Sequence, residues 1–462
     1  MAEGLMSVAW DLRRVRRGGP GLVAERQRAR LTDLLTRARA GSPYYRELYR
    51  DLPVRIDDVT SLPVTTKAEL MSRYDDWVTD RAVSLDDVRA FVTDPDRIGT
   101  LYRDRYQVVT TSGTSGHRGV FVQDDRTYTV LSAITVARAS GSWLAGRDYL
   151  SMLRRGNRVA AIWAVGGHFA GYSTAQRLIR ERPIRKHSIR IFSVHTPLDD
   201  LVRDVDAFAP TILNGYASAV ALLAREQRAG RLDIHPVLVI TSAEGLSPAE
   251  RAHLRETFRA KVRDQYACSE FMGLAHGCEH DWLHVNADWA ILEPVDERFR
   301  PVPPGQASHT VLLTNLANRV QPIIRYDLGD SVTMRPGPCP CGNPLPAVRV
   351  QGRTPEVISF PAPDGGRVDL PPLALGTLVD GTAGVRMFQI VQTDPRRLAV
   401  RLVTEDGADA DLVWEQVQRA LHGLLDSHGL ADVRVDRDSQ APQRTAGGKF
   451  RTVVSELPRP QR

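Results

Sequence analysis

Residues 108–116 read Val-Val-Thr-Thr-Ser-Gly-Thr-Ser-Gly, a β-forming run that opens into hydroxyls and glycines. Such a loop lets backbone N–H groups close on phosphate oxygens with no Cβ in the way. Thr111, Ser112, Thr114 and Ser115 would add hydroxyl donors around Gly113 and Gly116. Taken alone, the same residues also make an ordinary turn. Further stations follow in order: Ser242-Ala243-Glu244-Gly245 behind an apolar run, Tyr266-Ala267-Cys268-Ser269-Glu270, Arg325-Tyr326-Asp327-Leu328-Gly329-Asp330, Gly352-Arg353 and Gly447-Gly448-Lys449. Taken singly, Glu270 and Asp330 read as surface charges or caps. Lys449 follows two glycines and precedes Phe450. Lys449 carries extra weight because lysine occurs only at 67, 186, 261 and 449, among 61 Lys and Arg.

The cysteines form a second constellation. All four fall between residues 268 and 341, and Cys278, with His280 and His284 close behind, is followed by Cys339-Pro340-Cys341-Gly342. Thiolates plus a neutral imidazole make a zinc ligand set. The expected site is a structural zinc on Cys278, His284, Cys339 and Cys341, with His276 and His280 as substitutes for His284. Four buried free thiols are the competing reading.

Elements must hold these residues in place. Residues 24–50 show helical spacing that stops at Gly41-Ser42-Pro43, with Ser42 the cap of a second helix. Another helix is expected near Thr66. From about residue 107, short β-rich runs alternate with helical ones, the pattern of βαβ units and a largely parallel sheet. Beyond residue 280 strands dominate. After Gly352 the chain restarts as a proline-rich hairpin, a strand pair, an amphipathic helix and a last strand. The fold class is therefore α/β: a large unit over residues 1–352, with mostly parallel sheets and a β-rich part, and a small α+β unit over 353–462.

The composition excludes several classes. The chain has 462 residues, 42% hydrophobic and 25% charged, which is ordinary for a globular protein. No apolar run approaches the ~20 residues that span a bilayer. The arginines at 13–17 follow the first apolar stretch, the wrong order for a secretory signal. A cytoplasmic protein without a membrane partner is expected. The net charge of +6 invites a nucleic-acid reading. The cations are scattered, however, with no aromatic-interleaved stripe, so no nucleic-acid partner is expected. There is no GxGxxG, Walker or GxSxG pattern.

The ordered stations resemble those of the adenylate-forming superfamily of acyl- and aryl-CoA ligases, and within it the phenylacetate–CoA ligase-like branch. There the first loop reads like SSGTTGKP, the acidic motif like YGLSE, and IRYxxxD is followed by a cysteine pair and GR. The openings ARAGSPYYRELY and LPVTTKAELM are similar to that branch too. The resemblance implies an AMP-forming ligase that activates a small, aromatic carboxylic acid with ATP and Mg²⁺. Thr111 to Gly116 would wrap the β- and γ-phosphates. Ser242, Ala243 and Glu244 would line the adenine and substrate wall, with Tyr266 near the base and Ser269 beside it. Glu270 would hold Mg²⁺ and Asp330 the ribose hydroxyls. Arg353 would meet ribose or phosphate, and Lys449, on a small mobile unit, would reach the α-phosphate. Gly167, His168, Tyr216 and Ser218 are the candidates for the acid pocket, and a homodimer is an open expectation.

The acceptor is less legible. Coenzyme A leads, with the arginines of residues 177–190 as cations for its 3′-phosphate; an amine, a carrier thiol, or nitrite in place of the acid are the alternatives. Two departures speak against free coenzyme A. Pro355 stands at the family's hinge position, and residues 360–366 replace the glycine-bearing loop that admits the thiol. A catalytically inactive relative would have lost the charged stations, and this chain retains them.

Overall fold

The computed structural model describes residues 4–56, 58–111, 119–350, 357–362, 366–443 and 451–457. The opening helix Leu5–Gly41 begins well before its most periodic stretch and bends where Gly19 takes φ +71 ahead of Pro20. Proline lacks the N–H that an interior helical turn needs, and glycine tolerates that φ without strain. Ser42 then accepts from the Tyr45 N–H to cap Pro43–Leu48, and Thr66 does the same for Lys67–Ser72 through Glu69. Among the described residues, no helix is long and apolar enough to cross a membrane.

A nine-stranded sheet organises the molecule. From one edge its strands are Ile189–Ser193, Val159–Trp163, Ile212–Tyr216, Leu238–Ser242 and Lys261–Cys268, all parallel. The helices Ala170–Glu181, Leu198–Phe208, Ala217–Arg228 and Pro248–Phe258 are the crossovers. The expectation of a mostly parallel sheet holds for this half only. At Ser269-Glu270 the chain turns straight back into Phe271–Gly277, and Leu283–Val285, Ala347–Val350 and Val332–Met334 continue the sheet antiparallel. A two-residue link can join only antiparallel neighbours. The consequence is functional: the acidic turn stands at the end where the parallel strands finish, the usual ligand end of such sheets.

Two smaller sheets flank that end. Gln107–Thr110 and Val120–Gln123 pair antiparallel as a hairpin on either side of the hydroxyl-rich segment, whose residues 112–118 lie outside the described residues. The hairpin is closed by the Thr111 N–H on the Gly119 carbonyl at 2.9 Å. Ala290–Val295, Thr310–Asn315 and Ile323–Asp327 form a three-stranded sheet that carries the Arg-Tyr-Asp motif.

The C-terminal part contains the hairpin Ile358–Pro361/Arg367–Leu370, the strand pair Val385–Asp394/Arg397–Thr404, the helix Ala410–Ser427 and the strand Arg434–Asp438 that the sequence led one to expect, and adds a helix Pro372–Gly381 and a four-stranded sheet. In that sheet Val453–Ser455 joins Val385–Asp394 in parallel, an addition the sequence did not announce. Ile162, Leu213 and Val239 of the large sheet share one apolar cluster with Phe360, Leu375 and Phe388. Arg225 also pairs with Asp369, and His195 Nε2 lies 3.0 Å from Thr377 Oγ1. The boundary expected at 352/353 lies outside the described residues.

Candidate active site

Tyr216 and Ser242 are register partners at the ends of adjacent parallel strands. Immediately after Ser242 the backbone breaks away, because Ala243 sits at φ +66. A residue with a Cβ is strained there, and such strain collects at functional sites. The break lets Glu244 reach across to accept the Ser218 N–H on Oε2 at 2.8 Å. The helix Ala217–Arg228 has no side-chain cap of its own, so Glu244 caps it from the neighbouring loop. Burial pushes the Glu244 carboxyl up to about 7, and the bonds from Ser218 only partly offset that.

The loop after Val159–Trp163 lies beside this pair. Tyr216 Oη accepts from the Ala164 N–H at 3.3 Å. A Cβ at Gly167 would stand 3.0 Å from the Phe169 ring, so a larger residue there requires that ring to shift. His168 is buried 5.4 Å from Phe91, and its carbonyl accepts the Thr110 N–H at 2.8 Å. The candidate acid pocket and the hairpin Gln107–Thr110/Val120–Gln123 are thus joined through one backbone bond.

The acidic turn is pinned from three directions. Ser269 Oγ donates to the Thr110 carbonyl at 3.0 Å, Gln123 Nε2 to the Ser269 carbonyl at 3.0 Å, and Asn315 Nδ2 to the Glu270 carbonyl at 2.8 Å. The Glu270 side chain is 4% exposed. Tyr326 Oη donates to its Oε1 at 2.8 Å. Tyr266 Oη donates to Asp330 Oδ2 at 2.7 Å. Burial first, then the adjoining carboxylates, hold both phenols far above their ordinary pKa. Each tyrosine therefore stays a donor and aims one carboxylate. Burial and Glu270 also push the Cys268 thiol up, so it is no nucleophile.

One candidate side chain escaped the motif reading. Lys67 Nζ lies 3.5 Å from Thr111 Oγ1, in the last described residue before the hydroxyl-rich segment. Its segment is stitched to the strand Ile323–Asp327: Thr65 N–H donates to the Arg325 carbonyl and Asp327 N–H to the Thr65 carbonyl, each at 3.0 Å. Arg325, at φ +46, grips Glu293 and donates to the Thr60 and Leu62 carbonyls. The available signal was the scarcity of lysine, which names Lys67 but not its role.

Ser112, Gly113, Thr114, Ser115, Gly116, Arg353, Pro355 and Lys449 lie outside the described residues. Of the cations expected from residues 177–190 for a coenzyme phosphate, two are already engaged. Arg177 is buried, stacks 3.7 Å over Tyr128 and pairs with Asp125 and Glu181; Arg180 donates to the Ile98 and Asp96 carbonyls. Local carboxylates and backbone carbonyls already engage both guanidinium groups.

The cysteine constellation closes as expected. Ligand atoms of Cys278, His284, Cys339 and Cys341 all lie within 4.8 Å of one another. The Cys278 and Cys339 sulfurs are 3.8 Å apart. Two zinc–sulfur bonds of about 2.3 Å at a tetrahedral angle span about 3.8 Å. His284 Nε2 faces Cys341 Sγ at 3.1 Å while Nδ1 sits 3.0 Å from the Leu345 carbonyl, which fixes the tautomer that leaves Nε2 free to ligate. Burial works against a thiolate at Cys278, but the bond from His284 and nearby backbone N–H groups outweigh it and lower its pKa to about 6. The donor set thus fits zinc and leaves no open position. His276 and His280 stand outside the group.

No protein-family profile matches the chain. Protein CapK of Staphylococcus aureus is 21% identical over 265 residues, and the match spans 55% of either chain, so this chain covers about half of that relative. A 2-hydroxyisobutyryl-CoA ligase solved with 2-HIB-AMP and CoA in its thioesterification state superimposes with a TM-score of 0.55 at 22% identity, over 93% of this chain and 89% of that one. The same ligase in its post-adenylation state, with R3-HIB-AMP, gives 0.53 at 21% identity over 94% and 89%. The chain has the α/β fold of this adenylate-forming ligase across nearly its whole length.

Proposed function

We propose that this protein is an ATP-dependent, AMP-forming ligase of the phenylacetate–CoA ligase-like branch, which activates a small, aromatic carboxylic acid and hands the acyl group to coenzyme A. The observation that carries this reading is the pair of phenol-held carboxylates, Tyr326–Glu270 and Tyr266–Asp330, at the ligand end of the sheet beside Thr111 and Lys67.

The carboxylate of the acid, already ionised at pH 7, attacks the α-phosphorus of ATP; the bond to the β-phosphate oxygen breaks and pyrophosphate leaves. No general base is required. The chain must instead bring two anions together and neutralise charge on phosphoryl oxygens. Thr111 through Gly116 and Lys67 receive the β- and γ-phosphates, and Lys449 the α-phosphate and the incoming carboxylate. Asp330 takes the ribose hydroxyls, with Arg353 at the same junction. Ser242, Ala243, Glu244 and Tyr266 form the nucleotide wall, and Gly167, His168, Tyr216 and Ser218 the acid pocket. Glu270 would hold Mg²⁺, which would supply charge neutralisation on the triphosphate. Zinc at Cys278, His284, Cys339 and Cys341 is structural. A cytoplasmic location, where ATP and coenzyme A are at hand, goes with this reading.

The test is ATP–pyrophosphate exchange across a panel of aromatic and aliphatic acids, with calorimetric titration of Mg-ATP on the same preparation. Exchange driven by an aromatic acid is expected. A chain that neither binds Mg-ATP nor exchanges with any acid would overturn the assignment.

A further inference from the structure

Asp11 pairs with both Arg26 and Arg30, at 3.0 and 2.6 Å. Asp11 and Arg26 are 15 residues apart, which in a straight helix would separate them by about 22 Å. The break at Gly19 therefore folds residues 5–18 back on the helix that follows, as an arm of its own. Val8, Leu12 and Val15, at i, i+4 and i+7, are the buried face of this arm. At about 100° per residue, Met6, Trp10, Arg13 and Arg17 fall within about 60° of one another on the opposite side. That outward stripe meets solvent: Met6 is 83% and Trp10 60% exposed, and both arginines are exposed too.

The charges on the stripe are uncompensated. Arg14 lies 5.0 Å over the Trp10 ring, and Arg13, Arg14 and Arg17 form no ion pair among the described residues. Asp11, the acid of residues 4–18, is turned inward to Arg26 and Arg30. Arg16 lies off the stripe, beside Asn343 of the loop after Cys341. Large apolar side chains and free cations thus share one outward stripe. A bare polyanion, such as a nucleic-acid backbone, complements the arginines but offers nothing to Met6. Phosphate headgroups over acyl chains complement both, with the guanidinium groups among the headgroups and the methionine and indole at the acyl boundary. A fluid bilayer also conforms to a helix face without the matching groove that a protein partner must supply.

We propose that Met6, Trp10, Arg13, Arg14 and Arg17 dock the protein on an anionic lipid surface. The docking rests on no feature of the active site. It departs from the expectation of no membrane partner, which rested on the lack of a spanning run. The full chain should co-sediment with vesicles of phosphatidylcholine and phosphatidylglycerol in equal parts, roughly tenfold more than with phosphatidylcholine alone, and less as salt is raised. Arg13→Gln/Arg14→Gln/Arg17→Gln and Met6→Ser/Trp10→Ser should each lose most of that binding at the parent Tm, since all five side chains are exposed. A chain that ignores both kinds of vesicle would overturn the proposal. So would binding that needs the arginines but not Met6 and Trp10, which would make the stripe a face for a polyanion or an acidic protein. Dimerisation abolished by Met6→Ser/Trp10→Ser, without vesicle binding, would overturn it as well and assign the stripe to a second copy of this chain.

Discussion

Two lysines are expected to divide the work on the triphosphate, and kinetics can tell them apart. Lys67 approaches the phosphate turn from a segment fixed to the sheet, so it should act on bound nucleotide throughout. Lys67→Ala should raise KM for ATP by roughly tenfold with a smaller change in kcat, the size of one charge-assisted bond. Lys449→Ala should instead lower the adenylation rate by about 10²–10³-fold with little loss of ATP binding, as for a preorganised charge at the transition state. Pyrophosphate exchange measured against ATP concentration reads both, and a Lys449→Ala enzyme that adenylates at the parent rate would remove the role assigned to the C-terminal unit. Glu244 gives a pH test. Its carboxyl titrates near 7 in the fold, above the ordinary glutamate value of about 4.3. The folded chain therefore binds this proton more tightly than the unfolded one, and the carboxylate costs stability increasingly as pH rises from about 4.5 to 7. Glu244→Gln can still accept the Ser218 N–H, so it should match the parent Tm at pH 4.5 and exceed it at pH 8. Equal Tm differences at the two pH values would contradict the buried, proton-holding carboxyl. The sequence singles out Lys449 by its rarity and the two glycines before it, and its placement lies outside the described residues. The position of Lys67 was not legible, because nothing local records that residues 60–67 lie against a strand more than 250 residues away.

At the scale of elements, the Cys/His loop makes a separate prediction. About one zinc per chain should survive gel filtration, and Cys339→Ser should remove it and lower Tm, since binding energy at a closed site is folding energy. A zinc-free protein of unchanged Tm would eliminate the site. Adenylation by zinc-loaded enzyme should not respond to added metal at this position, because all four ligands come from the chain. The ligands were readable as spacing because Cys339-Pro340-Cys341 is a local turn. The choice of His284 over His276 was not local. These two histidines are register partners on adjacent antiparallel strands, and only the sheet decides that one ring joins the sulfurs while the other lines a cavity.

At the scale of the whole molecule, the question is the acceptor. The hairpin and helix that follow residue 357 rest on the large sheet through a continuous apolar cluster, with the Arg225–Asp369 pair at its rim. Pyrophosphate release and thioester formation should be followed on one preparation. Acyl-CoA formed rapidly from the acid that drives exchange is the expected result. Adenylate that accumulates until an amine or nitrite is added would replace coenzyme A as the acceptor and make Pro355 the first position to examine.

The sequence by itself determined the order of the motifs, the caps at Ser42 and Thr66, the C-terminal hairpin, strand pair and amphipathic helix, and the Cys339-Pro340-Cys341 turn, because each depends on neighbours in the chain. Tertiary structure decided what depends on distant partners. It set the reversal at Ser269-Glu270 that makes half the sheet antiparallel, and the phenols of Tyr266 and Tyr326 that aim Asp330 and Glu270. It also engaged Arg177 with Asp125 and Glu181, although its sequence neighbours suggested a free cation. Periodicity and motif spacing report which residue types are present and which face they share. Whether a charge is free or already paired depends on desolvation and on groups brought in by other elements, and these exist only once the chain has folded.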